Sequence, residues 1–432
     1  MKAAGIIAEY NPFHNGHAYQ LAQVRRETGA DCIVIAMSGD FVQRGAPAVA
    51  DKYTRAQMAL LSGADLVFEL PAFWSVSSAQ HYARAGVHCL AATGIVDRIC
   101  YGCESTEPEL VSLLCAALCE PDEAYRAQLK TLLRGGKSYP LARQEALCAA
   151  LPDVDAGSIR TFLSSPNNIL ALEYERAIAH WNASHAHALH GHAIRRVGDG
   201  YHSAQPLSRY ASATALRRQL LCASADGLLS ADDPVWELLS GYLPQTSLTL
   251  LQRAAESSRL MDTDDFSGAL YASLLSAGST GYAHYADATE ALSGRIARHL
   301  GEFISFTQFA GMLKTREVTH TRILRVLTHI LLGFAEEDAP RPCPFLRLLG
   351  FRKSSAPMLH EIRKKASVPL ITKVADASRT LSNADMPTED RTLALHALAQ
   401  DIRAADIYRG IRSVKSGRAQ CNEYTQPLVI LP

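Results

Sequence analysis

The sequence predicts an α/β protein: a parallel sheet covered by helices on both faces, continued by a mainly helical C-terminal half. Three observations carry this. Through about residue 110, short and near-continuously apolar runs alternate with stretches whose apolar residues recur at helical spacing. Glycines and prolines stand at the joints between them. Beyond about residue 225 the β-branched runs thin out and helical spacing dominates.

In order, KAAGIIAEY reads as a strand and GHAYQLAQVRRETGA as a helix ended by Gly29. DCIVIAMSGD is a second strand. KYTRAQMALLSGA is a helix stopped by Gly63, and DLVFELP a strand stopped by Pro71. SSAQHYARAGVHCLAATG is a helix and DRICYG a fourth strand. Residues 106 to 160 are helical in pattern, and SSPNNILALEYERAIAHW opens a further helix. AIRRVGDGYH reads as a strand running into a loop, and PLSRYASATALRRQL opens another helix. SADGLLSADDP marks the change of character, so the expected division is a catalytic unit over residues 1–225 and a helical unit over 226–432.

Hydrophobic residues make up 48% and charged residues 20%, enough for a large core in a chain of 432 residues. The formal net charge is zero, but residues 301–432 carry 19 Lys and Arg against 13 Asp and Glu. That +6 leaves −6 for the rest and points to a polyanion on the C-terminal side. No stretch approaches the ~20 apolar residues that span a bilayer, and MKAAGIIAEYNPFH lacks the pattern of a signal peptide. No membrane partner is expected, and the ten scattered cysteines suit a cytoplasmic protein. The spacing of Cys100 and Cys103 is that of a redox or metal pair, but no second pair follows. Histidines 180, 185, 187, 190 and 192 lack neighbouring Cys or carboxylate at ligand spacing and read as a surface loop, so no structural metal is expected.

The chemistry gathers at strand ends, where ligands of parallel sheets bind. In EYNPFHNGHAYQ the first strand hands over to a helix through HNGH. A glycine there lets phosphate reach free backbone N–H groups, favoured by the helix dipole. His14 and His17 flank it and can donate hydrogen bonds to phosphate oxygens as charge develops on them. After the second strand, Asp40, Gln43 and Arg44 of SGDFVQRG suit a substrate loop over the reacting groups. Glu104 reads equally as a ribose contact or a helix cap.

HNGH in this setting resembles the signature of the HIGH-type nucleotidylyltransferase superfamily, and "ASATALR", with Ser212, Thr214 and Arg217, resembles its second element. AEYNPFHNGH, MSGDFVQRGAPAVADKYTRAQMALLSGADLVFELP, YGCES, SSPNNILALEY and RRVGDGYH together resemble the tRNA(Met) cytidine acetate ligase family, as do LKTREVTHTRILRVLTHILL and LRLLGFRKSSAPMLHEIRKKASVPLITK. The resemblance implies a Rossmann-like catalytic fold. It also implies ATP-dependent activation of acetate as acetyl-adenylate, then acetyl transfer to the exocyclic amine of the wobble cytidine of elongator tRNA(Met). Mg²⁺ is expected with the ATP. Carried over residue by residue, it implies ATP contacts along Ile7, Ala8, Glu9, Tyr10, Asn11, Pro12, Phe13, His14, Asn15, Gly16, His17, Ala18, Tyr19 and Gln20. Gly102 in YGCES, Asn168 in SSPNN, Ser212, Arg217 and Arg196 complete the set, with the adjacent Arg195 an open alternative to Arg196.

In the C-terminal half, Lys314, Arg316, Arg322 and Arg325 recur near helical spacing and Arg363, Lys364 and Lys365 form a basic run. The charge split makes both clusters candidates for tRNA phosphate contacts. Two rivals stand beside this reading. A small-molecule adenylyltransferase of coenzyme biosynthesis explains HNGH but leaves about 200 C-terminal residues without a role. A non-catalytic RNA-binding protein with a relict nucleotide site does not explain two intact histidines and Arg217. The oligomeric state is not legible in the sequence.

Overall fold

The computed structural model describes the whole chain except residues 1, 106, 197–211, 225–228, 231, 258, 279 and 340. The loop expected after the fifth N-terminal strand, most of PLSRYASATALRRQL before Ser212, and part of SADGLLSADDP therefore lie outside the described residues.

The sheet begins with β1 (Ala3–Ala8), β2 (Cys32–Ser38) and a short hairpin, β3 (Phe41–Val42) with β4 (Ala46–Pro47). β5 (Leu66–Leu70), β6 (Val96–Cys103) and β7 (His190–Arg195) follow. From the C-terminal half come β8 (Leu346–Arg352), β9 (Leu370–Ile371) and β10 (Val429–Leu431). The strand order is β10-β8-β5-β2-β1-β6-β7, with β9 also on β8. β5, β2, β1, β6 and β7 are mutually parallel, whereas β8 runs antiparallel to β5. The helical pattern beyond residue 225 did not disclose these three strands.

Alternate residues of each strand feed two cores. Val34, Ala36, Leu66 and Phe68 meet helices Ala79–Ala91 and Pro166–Asn182 on one face. Ile33, Ile35, Met37 and Val67 meet helices Asn15–Thr28 and Lys52–Leu61 on the other. This period of two explains why the strands read as continuous apolar runs. A third core, around Phe266, Phe306, Phe309 and Leu327, holds the helical lobe together. Chain order runs outward from β1 through β2 to β5 and in the opposite direction through β6 to β7. The switch point therefore lies between β1 and β6, where a parallel sheet leaves a crevice at its carboxyl edge.

Candidate active site

A cleft of about 180 Å³ opens at that switch point, lined by residues 7–11, His14, His17, Gln20, Gly102, Arg196, Ser212, Thr214 and Arg217. β1 ends at Ala8, and the chain turns through Tyr10 at φ 49°. Tyr10 is buried, its ring 4.8 Å from Phe13 and 4.9 Å from His17.

His14 is the N-cap of helix Asn15–Thr28, and HNGH is a capping box made of imidazoles. Nδ1 of His14 accepts from Gly16 N at 3.0 Å, and Nδ1 of His17 accepts from His14 N at 3.3 Å. The rings stack with centroids 3.7 Å apart. Gly16 is required by this packing, because a Cβ there would stand 2.8 Å from Cε1 of His14. A nitrogen that accepts an N–H carries no proton, so each neutral ring holds its hydrogen on Nε2. Burial, then the charges of Arg196 and Arg217, push the His14 pKa down to about 3. Burial, then His14 and Arg196, hold His17 well below the usual range. Both rings are thus neutral Nε2–H donors at neutral pH.

Two cations, Arg196 and Arg217, complete the lining of the cleft. Arg217, on helix Ala213–Ser224, donates to the carbonyl of Asn11, while Ser212 Oγ accepts from Ala215 N at 3.2 Å. From Ser212 to Arg217 the segment is both a helix cap and a wall of the cleft. Arg196 lines the cleft at the end of β7, whereas Arg195 is exposed in the strand and does not line it. A Cβ at Gly102 would lie 3.2 Å from Cγ of Arg196, so the glycine makes room for that side chain.

Other expected residues fall differently. Asn168 is buried and does not line the cleft; its Oδ1 accepts from Glu104 N at 3.0 Å and Ser105 N at 3.2 Å, fixing the loop after β6. Its neighbour Asn167 lines the cleft instead and donates to Glu104. Gln43 and Arg44 reach the cleft from the β3–β4 hairpin, with Gln43 N donating to Glu9 Oε1 at 3.0 Å. Asp40 does not join them. It is buried, accepts from Lys52 N at 2.9 Å and stands 3.7 Å from Lys52 Nζ, in a charge cluster below the loop. An acidic residue after a strand gives no sequence cue to which side of the loop it will take.

Sequence reasoning missed the aromatic wall of Tyr82, Tyr101 and Tyr174 and the fully buried Arg55. Arg55 donates to the carbonyls of Ala50 (2.9 Å), Ser38 (3.1 Å), Glu9 and Gly39, and so ties the ends of β1 and β2 together. Its one available signal was a second basic residue, three after Lys52, on the buried face of helix Lys52–Leu61.

The C-terminal basic residues divide. Arg322 and Arg325 both hold Asp287, Arg325 Nε at 2.8 Å with a side chain only 13% exposed. They fix a turn in which Asp287 has φ 64°. Lys364 and Lys365 pair with Glu361 at 3.4 and 3.3 Å. Lys314, Arg316 and Arg363 are exposed. Of the clustered histidines, His190 and His192 lie in β7 rather than a loop, and His192 pairs with Glu27 at 3.1 Å. Among the described residues no group of three or more His, Cys, Asp or Glu could hold a metal ion, and no helix is long and apolar enough to cross a membrane.

The family model for the HIGH nucleotidyl transferases matches residues 1–423. The tRNA(Met) cytidine acetate ligase of Acetivibrio thermocellus is 33% identical over the full length of both chains. The chain belongs to this family. The ligase of the same name from Clostridium kluyveri is 34% identical, covering 89% of this chain and 93% of its own. Among solved structures, Thermotoga maritima TmcAL bound with alpha-thio ATP superposes with a TM-score of 0.88 at 28% identity, and its apo form with 0.90, each covering both chains completely. HNGH of this chain stands at the strand-to-helix turn between β1 and helix Asn15–Thr28.

Proposed function

We propose that the protein is an ATP-dependent tRNA(Met) cytidine acetate ligase. The observation that carries the reading is the pair of neutral, Nδ1-capped imidazoles facing Arg196 and Arg217 across the switch-point cleft. Such a surface receives a triphosphate: the helix N-terminus and two guanidinium groups supply positive potential, and two Nε2–H donors aim at oxygens that gain charge. Acetate oxygen attacks the α-phosphorus, the bond to the β-phosphate oxygen breaks, and pyrophosphate leaves. Gln43 and Arg44, which line the cleft, would hold the carboxylate. The cytidine amine then attacks the acetyl carbonyl, loses a proton and releases AMP. Because the histidines are neutral donors and not acids, they stabilise charge without exchanging protons. Mg²⁺ bound with the ATP would supply charge neutralisation at the phosphates. Elongator tRNA(Met) and a cytoplasmic location belong to the same proposal.

The test is pyrophosphate release with and without acetate, followed by transfer of labelled acetate to a tRNA(Met) transcript. Acetate-stimulated release with label in RNA is expected. Release that ignores acetate and RNA would instead favour a small-molecule adenylyltransferase.

A further inference from the structure

Between β6 and helix Pro166–Asn182 the chain inserts four helices, Pro108–Cys119, Glu123–Arg134, Tyr139–Ala150 and Ala156–Ser164. Both ends of the insert frame the cleft, through Gly102 on one side and Asn167 on the other. Helix Glu123–Arg134 packs Tyr125, Leu129 and Leu132 against the core. Its opposite face carries Arg126, Lys130 and Arg134, four residues apart and all exposed. Four residues advance the axis by about 6 Å, comparable with the step between successive phosphates of an RNA strand. Among the described residues these three side chains have no ion-pair or hydrogen-bond partner. The one carboxylate on the same face, Glu123, sits in the first turn, where the helix dipole favours it.

A second element extends the row. The turn after the helix lies against the segment that precedes helix His320–Leu332: a Cβ at Gly136 would stand 3.5 Å from Glu317 Oε1. Lys314 and Arg316, also exposed and without a partner among the described residues, flank that approach. Unlike Arg322 and Arg325, none of these five cations holds the fold together.

We propose that Arg126, Lys130 and Arg134, continued by Lys314 and Arg316, form the track on which the phosphodiester backbone of the substrate RNA docks, an inference that rests on the RNA-acylation reading of the cleft. A linear row of unpaired cations at phosphate spacing, on an insert whose two ends frame the cleft, suits a polyanion that must deliver one base into it. The rest of the strand is then held outside.

Binding of a tRNA(Met) transcript to the full chain, measured over a salt series, tests this. Replacing Arg126, Lys130 and Arg134 together by Ala should weaken binding at least tenfold at moderate salt. The log–log salt slope should flatten by ~0.7–0.9 for each phosphate left without its cation. Lysine in place of Arg126 and Arg134 should preserve both. RNA-independent, acetate-dependent exchange of pyrophosphate into ATP should be unchanged and reports an intact fold; a Gln triple variant repeats the test on a second background. Wild-type binding with an unaltered slope in both triple variants overturns the track and leaves the ligase reading standing. A wild type that binds no tRNA overturns both.

Discussion

The sharpest consequence of the capping arrangement is that His14 has two separable jobs. Its Nδ1 caps the helix by accepting from Gly16 N, and its ring, with the hydrogen left on Nε2, lines the cleft. His14→Ala removes both. Loss of the cap costs about 1 kcal/mol of stability, and loss of one donor to the developing oxyanion costs about 2.7–4 kcal/mol of transition-state stabilisation, or ~10²–10³ in kcat. His14→Asn separates them, because Asn is a preferred N-cap residue but its short amide does not reach the imidazole Nε2 position. The Asn variant should therefore recover most of the stability lost by Ala in urea unfolding, while its kcat for acetate-dependent pyrophosphate release stays ~10²-fold or more below wild type. The KM for ATP should move far less, since Arg196, Arg217 and the helix N-terminus remain. An Asn variant with near-normal turnover would show that the imidazole is only a cap.

Three further outcomes follow from the geometry. With the His14 pKa near 3 and its ordinary value at 6.5, the unfolded chain binds a proton that the folded ring refuses between those values; this contribution to stability is fully present above 6.5 and lost as pH falls toward 3. The pH profile of kcat should accordingly show no histidine titration between about 6 and 8, and a bell centred on the ordinary histidine value would contradict neutral donors. Burial, then the charge of Glu69, raises the Asp401 pKa from 3.8 to about 7, so native stability falls as pH rises across that window. Asp401→Asn keeps an acceptor for Ala72 N, and its advantage over wild type should grow by roughly 2.7 kcal/mol from about pH 5 to about pH 8; a pH-independent difference would refute this. Finally, Gly45 has φ 75°, and a Cβ there would meet the Arg325 backbone at 2.4 Å. Gly45→Ala should destabilise by about 1–3 kcal/mol and raise the acetate KM by displacing Gln43 and Arg44.

The N-terminal fold was legible because central strands such as β2 and β5 are buried on both faces and helices such as Asn15–Thr28 carry their own stop signal, here Gly29 at φ 64°. HNGH was legible for a related reason: its cap, its glycine and its donors are all local in sequence. What stayed hidden depends on long-range partners. β8 pairs beside β5 across roughly 280 residues of chain, and its apolar run resembles any buried helix segment. Asn167 and Asn168 are adjacent and chemically identical, and only the fold of the loop after β6 decides which faces the cleft. The basic residues of the C-terminal half divide in a way the sequence does not show, because net charge does not report pairing. Asp287, which claims Arg322 and Arg325, lies more than thirty residues upstream of them.

Pairing of this kind also alters the weight of the rival readings. The small-molecule adenylyltransferase is disfavoured by the sequence for leaving the C-terminal half without a role. Yet that half holds the catalytic strand ends in place. Lys52, buried beneath the substrate loop, binds Glu69 at 2.8 Å and Glu423 at 2.9 Å, and Arg347 of β8 binds Glu69 at 2.9 Å. Burial pushes the Glu69 pKa up, but Arg347 and Lys52 together outweigh it and the net shift is down, so the network stays ionised at Glu69. Tyr408 donates to Ala48 O at 2.8 Å, Thr328 to Gly45 O at 3.0 Å, and Asn15 N of the signature to Tyr242 O at 2.9 Å. A scaffold of this size would serve either reaction, so its presence cannot discriminate between them. The discrimination rests on full-length similarity to the tRNA(Met) cytidine acetate ligases, and the exposed cations of helix Glu123–Arg134 bear on it only through the RNA track proposed above.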